Sequence, residues 1–259
     1  MDRRIQVAAR THVGFIRKNN EDSSLIIDGS TGDYDTDRLG RMFVIADGMG
    51  GHAAGEIASR IACEGLRTYY RMEEADAAKT EPSPESAMQK LESVIRETNA
   101  RVYRNARENR ARLGMGTTLS VLLLLKHAAI IGHVGDSRIY LFRNRRLLRL
   151  TIDHTRVQAM VDQGYLTAEE AARHPQRHIL LEAVGTAESL ENVFTRNEPV
   201  QEEDAFLLCS DGLTDMLLDS RIEQLLIENP DPGDACNRLL EEALANGGID
   251  NVTVIAVRV

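Results

Sequence analysis

The sequence predicts an α+β fold in which two antiparallel sheets stack and helices cover their outer faces. Three observations carry this. Apolar runs of strand length follow closely between Thr117 and Leu150, with Lys126-His127 and Asn144-Arg145 as hairpin turns. Long helical periodicities come in pairs, so a regular βαβ alternation is missing. The 259 residues are 42% hydrophobic, with no internal repeat and no dividing linker, which predicts one domain over 1–259 with a sizeable core.

In order, Ile5 to Ala9 and Ser23 to Asp28 read as strands on either side of the polar RKNNED stretch. Gly29 to Arg41 carries turn signals, and Arg41 to Ala46 forms the next strand. Gly48 to Gly51 reads as a tight glycine loop. Helical spacing through Ile57, Ile61 and Leu66 predicts a helix over Ala53 to Tyr70. A polar connection with Pro82 and Pro84 leads into a long helix from about Pro84 to Arg110. Strands are expected at Thr117 to Leu125, Ala128 to Val134, Arg138 to Arg143 and Arg146 to Leu150. From Asp153 to Gly185 the pattern breaks into short helical pieces, an excursion from the core. Strands return at Asn192 to Arg196 and Ala205 to Cys209, helices at about Arg221 to Glu228 and Pro232 to Ala245, and the final strand closes the chain.

Four aspartates stand at the ends of buried runs. MFVIADG, AIIGHVGDS and FLLCSDG end in Asp47, Asp136 and Asp211, and NVTVIAVRV begins directly after Asp250. An acid inside such a run is costly unless paired or bound to a cation. At strand ends the four can converge on one rim, provided the last strand runs antiparallel to the others. Gathered carboxylates with few soft ligands suit Mg²⁺ or Mn²⁺. The histidines show no ligand spacing, and Cys63, Cys209 and Cys236 are too few and scattered for a disulfide framework or zinc knuckle.

A formal net charge of −9 argues against a nucleic-acid surface. The start lacks the apolar core of a signal peptide, and no 18-residue apolar span offers a membrane helix, so a cytoplasmic protein is expected.

The ordered set Arg17-x-x-x-Glu21-Asp22, Asp47-Gly48-x-Gly50-Gly51, Gly116-Thr117-Thr118, Gly135-Asp136-Ser137-Arg138, Ser210-Asp211-Gly212 and Asp250-Asn251 resembles the metal-dependent serine/threonine protein phosphatases, the PPM family or phosphatase type 2C, in its bacterial branch. The resemblance runs from Arg10 to the C-terminus. It implies a four-layer αββα fold, a β-sandwich flanked by helical pairs, with two Mn²⁺ or Mg²⁺ ions at one rim and room for a third. Asp47 would bridge the two metals and the Gly48 carbonyl would bind one of them. Asp211 and Asp250 would complete the other, and Asp22 would bind directly or through water. Glu21 and Asn251 would stand behind these ligands, and Asp136 with Asp211 would hold the third ion. Arg17 would grip the substrate phosphate, since a guanidinium fork matches two phosphate oxygens. Together, Arg17, Asp47 and Asp211 would be the catalytic set, with water attacking phosphoserine or phosphothreonine directly.

Each residue also has a plainer reading. Asp47, Asp211 and Asp250 suit ordinary turns, Asp136 a hairpin turn, Arg17 a solvated loop and Glu21 a surface acid. Met49 stands where eukaryotic relatives have a histidine proposed as the proton donor, and His52 is a weak substitute. His154 could touch the site's edge. The segment at about 155–185 matches a flap beside the metals, or is a plain insertion. The arginines at 138, 143, 145, 146 and 149 make a basic hairpin, a phosphopeptide dock or a charged strand edge. The expected partners are phosphorylated proteins, including a serine/threonine kinase and its substrates, met by a monomer. The rival functions are a partner-switching phosphatase, a phosphatase-fold regulator without turnover, and a two-metal nuclease. The first usually carries a sensory or membrane region, for which this chain leaves no room, and the second would lack metal aspartates.

Overall fold

Because both faces of most strands are apolar, each sheet needs cover on two sides, and the fold supplies it in four layers. The computed structural model describes residues 5–50, 54–74 and 80–259. The chain begins with β1 (Gln6–His12) and β2 (Asp22–Ile27), a single turn α1 (Thr36–Leu39), and β3 (Arg41–Met49). Helices α2 (Ala54–Leu66), α3 (Thr68–Glu74) and α4 (Pro84–Glu108) follow. Next come β4 (Gly116–Thr117), β5 (Leu119–Leu124), β6 (Ala128–Val134), β7 (Arg138–Arg143) and β8 (Arg146–Arg149), then short α5 (Arg156–Asp162) and α6 (Ala168–Ala172). The last elements are β9 (Phe194–Pro199), β10 (Ala205–Cys209), the turn α7 (Asp211–Thr214), α8 (Asp219–Glu228), α9 (Pro232–Ala245) and β11 (Val252–Arg258).

One sheet has the order β1-β11-β10-β7-β8 and the other β2-β3-β5-β6-β9, with β4 pairing the far end of β3. Neighbouring strands are antiparallel throughout. Between the sheets, Phe43, Ile45, Leu122 and Ile131 meet Ile139, Leu141, Phe206, Leu208 and Ile255. The alternate residues Met42, Val44 and Ala46 face outward onto Ala58, Leu66, Leu91 and Ile95 of α2 and α4. On the other side Leu207, Cys209, Val254 and Ala256 face Ile222, Leu225, Ala235 and Leu239 of α8 and α9. Covered twice, the strands read as unbroken apolar runs rather than alternating ones. Truncating a residue such as Leu122 to Ala would cost about 2–5 kcal/mol.

Helix α4 starts where its sequence says it should. Ser83 accepts the Ser86 backbone N–H, Pro84 fills the first turn, and Leu91, Ile95 and Val102 form the buried stripe.

Several boundaries differ from expectation. The helix predicted through Tyr70 breaks after Leu66, and α3 starts at Thr68. The bend lets both Tyr69 and Tyr70 be fully buried, with the Tyr70 hydroxyl donating to the Gly40 carbonyl at 2.9 Å. The Gly29–Arg41 turn region contains α1, capped by Asp35. The expected strand Thr117 to Leu125 is two pieces, β4 and β5. The expected loop at Gly48 is still strand: β3 runs on to Met49, with Asp47 opposite Asp22 and Gly48 opposite Thr117. Strand β9 is shifted toward Pro199. Gly51, His52 and the part of the polar connection at 75–79 lie outside the described residues, so the His52 reading has no structural account.

Candidate metal centre

At one rim of the sandwich a cavity of about 500 Å³ is lined by Arg17, Glu21, Asp47, Gly48, Asp136, Asp211, Asp250 and Asn251, together with Met49. The four strand-end aspartates therefore do converge. The motif residues around them fix backbone positions. The Asp47 N–H donates to the Thr118 hydroxyl at 2.9 Å, and its carbonyl accepts from the Thr117 hydroxyl and the Thr118 N–H at 2.9 Å. Gly48 is glycine because the chain is crowded there. A Cβ would lie 2.3 Å from the Gly55 carbonyl oxygen and 2.5 Å from that of Glu21.

Asp22 sits behind the cavity wall, half-buried, with its Oδ1 sealed from solvent. One of its oxygens accepts from Thr253 at 2.6 Å and Ser210 at 2.9 Å, which ties β2 to the opposite sheet. Glu21 lines the cavity, and the N–H of Gly55 at the start of α2 donates to its carboxylate. Asn251 fastens the loop that carries Arg17 and Glu21. Its side chain accepts from the Glu21 N–H at 2.8 Å and donates to the Val13 and Asn19 carbonyls at 2.9 and 3.0 Å. The Arg17 guanidinium donates to one Asp250 oxygen at 2.6 Å, and the Asn251 N–H donates to the other at 2.7 Å.

The electrostatics of this cluster are those of acids short of cations. Burial, then repulsion from Asp211 and Asp250, pushes Asp22 up to about 7. Burial followed by repulsion from Asp215 and Asp250 pushes Asp211 up to about 6. Asp47 and Asp136 are raised well above the usual carboxylate range, first by burial and then by neighbouring aspartates. Arg17 is held in its charged form, chiefly by its hydrogen bond to Asp250. Asp22 Oδ1 and Asp211 Oδ1 are buried without any hydrogen-bond partner. Such a set of hard, unsatisfied oxygens fits Mg²⁺ or Mn²⁺, which would offset both the repulsion and the missing bonds.

Two titratable cavity residues were not anticipated: Asp215 and His178. Ligating atoms of His178, Asp211 and Asp215 lie within 4.8 Å of one another. Asp215 follows Asp211 by one helical turn, a spacing that could have been read from SDGLTD. His178 comes from the irregular excursion, where no periodicity marks it. It approaches Asp215 at 3.6 Å, and Arg177 approaches the same carboxylate at 3.8 Å, so Asp215 links that segment to the site. His154 does not line the cavity. Its N–H donates to the Gly135 carbonyl at 2.7 Å, beside the turn that carries Asp136.

The basic hairpin is largely spent on internal acids. Arg138 grips Asp153 at 2.7 Å, Arg143 grips Asp204 at 2.7 Å, and Arg149 and Arg146 reach Asp153 and Glu223 at 3.5 and 3.7 Å.

The family model described as Protein phosphatase 2C matches residues 19–245. The serine/threonine protein phosphatase PstP of Mycobacterium tuberculosis is 38% identical over 255 residues, 98% of this chain; the chain spans 45% of that relative's length. The crystal structure of serine/threonine phosphatase Stp1 from Staphylococcus aureus superposes with a TM-score of 0.88 at 33% identity, covering 99% of this chain and 96% of that one. The catalytic domain of PstP in complex with two manganese ions gives a TM-score of 0.80 at 33% identity, covering 98% and 97%.

Proposed function

The chain belongs to the protein phosphatase 2C family, and on that premise we propose that it hydrolyses phosphoserine and phosphothreonine in phosphoproteins with the help of two Mn²⁺ or Mg²⁺ ions. The observation that carries this reading is the convergence of Asp47, Asp136, Asp211 and Asp250 around one cavity with Arg17 at its edge. Asp47, the Gly48 carbonyl, Asp211 and Asp250 would hold the paired ions, Asp22 would stand beside them, and Asp136 with Asp211 would hold a third. Bound there, the cations supply an acidified water and neutralise phosphoryl oxygens.

The protein's own groups do the rest. Arg17 offers a guanidinium at the mouth, where a phosphate could take the place of Asp250 as its partner. Glu21 and Asn251 keep that loop in register with β11. A protein nucleophile is not needed, and the candidates are poor. Burial pushes the Cys63 and Cys209 thiols up to about 12 and Cys236 up to about 11. Thr118, which lines the cavity, has its hydroxyl engaged with the Asp47 N–H and Ser137. Met49 has no proton to give to the leaving oxygen.

We read residues 1–259 as one catalytic domain, with 155–185 as a flap that reaches the site through His178 and Asp215. A monomer acting in the cytoplasm against a serine/threonine kinase is the proposed setting. Among the described residues, no helix is long and apolar enough to cross a membrane. The test is hydrolysis of a phosphothreonine peptide and of p-nitrophenyl phosphate with Mn²⁺, with and without chelator. Turnover that chelation abolishes is expected; activity indifferent to metal, or none in folded, metal-loaded protein, would refute the reading.

A further inference from the structure

A metal site needs acids, but the mouth of this one is also apolar. Ten large apolar side chains are well exposed among the described residues; one of them, Ile249, lines the cavity, and Phe15, Ile16, Ile179 and Leu181 stand within two residues of cavity-lining positions in the sequence. Phe15 and Ile16 directly precede Arg17, Ile249 precedes Asp250, and Ile179 and Leu181 bracket the cavity-lining Leu180. Exposed apolar side chains are ordinary when single and informative when grouped.

The group is held out on a fixed backbone. The Phe15 N–H donates to the Gly248 carbonyl at 2.7 Å, and its ring lies so close over Gly248 that a Cβ there would come within 3.0 Å. The edge of the His12 ring meets Phe15 at a centroid distance of 6.0 Å. Asn251 pins the same loop through Val13 and Asn19 at 2.9 and 3.0 Å. Phe15 is nevertheless 65% exposed and Ile16 69%. A loop pinned in this way, presenting apolar groups beside Arg17 and Asp250, is prepared to bury something that arrives with the phosphate.

We infer that Phe15, Ile16 and Ile249 form an apolar collar that selects phosphorylated segments with large apolar residues next to the phosphoresidue. This rests on the phosphatase reading of the site. The occupant follows from continuity and charge. A chain whose phosphate is at Arg17 must pass its neighbouring side chains over the collar. Acidic neighbours would face Glu21 and Asp215, cavity acids outside the proposed ligand set, and are disfavoured by like charge. Apolar neighbours gain by leaving water.

The test compares three phosphothreonine peptides that differ only in the two flanking residues, Leu, Ser or Glu. Each kcat/KM is expressed relative to the same protein's Mn²⁺-dependent turnover of free phosphothreonine, which has no flanks. The expected order is Leu over Ser over Glu, with about a tenfold or larger advantage for Leu over Ser, chiefly in KM. The Phe15→Ser/Ile16→Ser double variant should bring the Leu and Ser peptides within about twofold of each other. Phe15→Leu should retain the preference, and Leu148→Ser, at an exposed apolar residue of β8 away from the site, should not alter it. Equal use of the Leu and Ser peptides by the wild type, or an unchanged ratio in the double variant, would overturn the collar. Absence of metal-dependent turnover on every substrate, free phosphothreonine included, would instead overturn the phosphatase reading and the collar with it.

Discussion

Strand β10 carries an aspartate at each end, and the two have opposite surroundings. Asp204, just before the strand, is fully buried, and the Arg143 guanidinium grips both of its oxygens at 2.8 and 2.7 Å. The Gln201 N–H adds a third bond at 2.8 Å. Asp211, just after the strand, is half-buried among Asp47, Asp215 and Asp250, and its buried Oδ1 has no hydrogen-bond partner. One carboxylate has its counter-charge built into the chain, and the other lacks it. The first arrangement holds a fold together. The second, on the proposed function, would hold a cation from solution.

The sharpest way to break this contrast is to change both ends. Asp211→Asn should abolish Mn²⁺-dependent turnover yet leave the metal-free protein at least as stable as wild type at pH 8, because it removes a repelling charge. Asp204→Ala should do the reverse. It removes the buried carboxylate that holds two nitrogens of Arg143, leaving that guanidinium Glu198 at 3.5 Å and the Pro199 carbonyl, and should cost about 3–5 kcal/mol in chemical denaturation, while kcat/KM measured well below the melting temperature stays near wild type. Equal destabilisation by the two substitutions would show that the ends do not differ as described.

Next in size is the pH response. Asp22 and Asp211 are pushed up to about 7 and about 6, whereas an unfolded aspartate titrates near ~3.9. Between those values the folded state keeps protons that the unfolded chain has lost. Stability without metal should therefore fall as pH rises from about 4 to about 7. Mn²⁺ requires the deprotonated acids, so its stabilising effect should grow over the same interval. Melting temperatures in EDTA and in Mn²⁺ at pH 5 and pH 8 measure both trends. Metal-free protein that is more stable at pH 8 than at pH 5 would contradict the first.

The smallest expected effect is at Arg17, whose guanidinium holds Asp250 at the edge of the cavity. Arg17→Ala should reduce kcat/KM on phosphopeptides about tenfold to a hundredfold through loss of charged hydrogen bonds. Metal should remain bound, since the substitution removes no oxygen ligand. Loss of Mn²⁺ binding in a calorimetric titration would assign Arg17 to the metal site instead of the substrate.

Much of this was legible in the sequence. The layered α+β fold followed from hairpin spacing and paired helices, and the acid cluster from aspartates at the ends of apolar runs. The details that were not legible depend on distance rather than pattern. Nothing in Gly48 announces that β3 continues through it, because that depends on β4 arriving from some seventy residues later. His178 carries no signal, since it reaches Asp215 from an irregular segment. The hairpin arginines look like one basic patch until their partners Asp153, Asp204 and Glu223 come from other parts of the chain. Asn251 appeared as one half of a dipeptide motif, whereas its hydrogen bonds reveal it as the fastener of the Arg17 loop.

The central claim is that the acids around Asp211 lack a counter-charge that divalent cations supply. Isothermal titration with Mn²⁺ at pH 8, on the wild type and on Asp211→Asn, measures this directly. The account predicts at least two Mn²⁺ bound per wild-type chain, with uptake lost or sharply weakened in the variant. Wild-type protein that binds Mn²⁺ no more tightly than Asp211→Asn would contradict it.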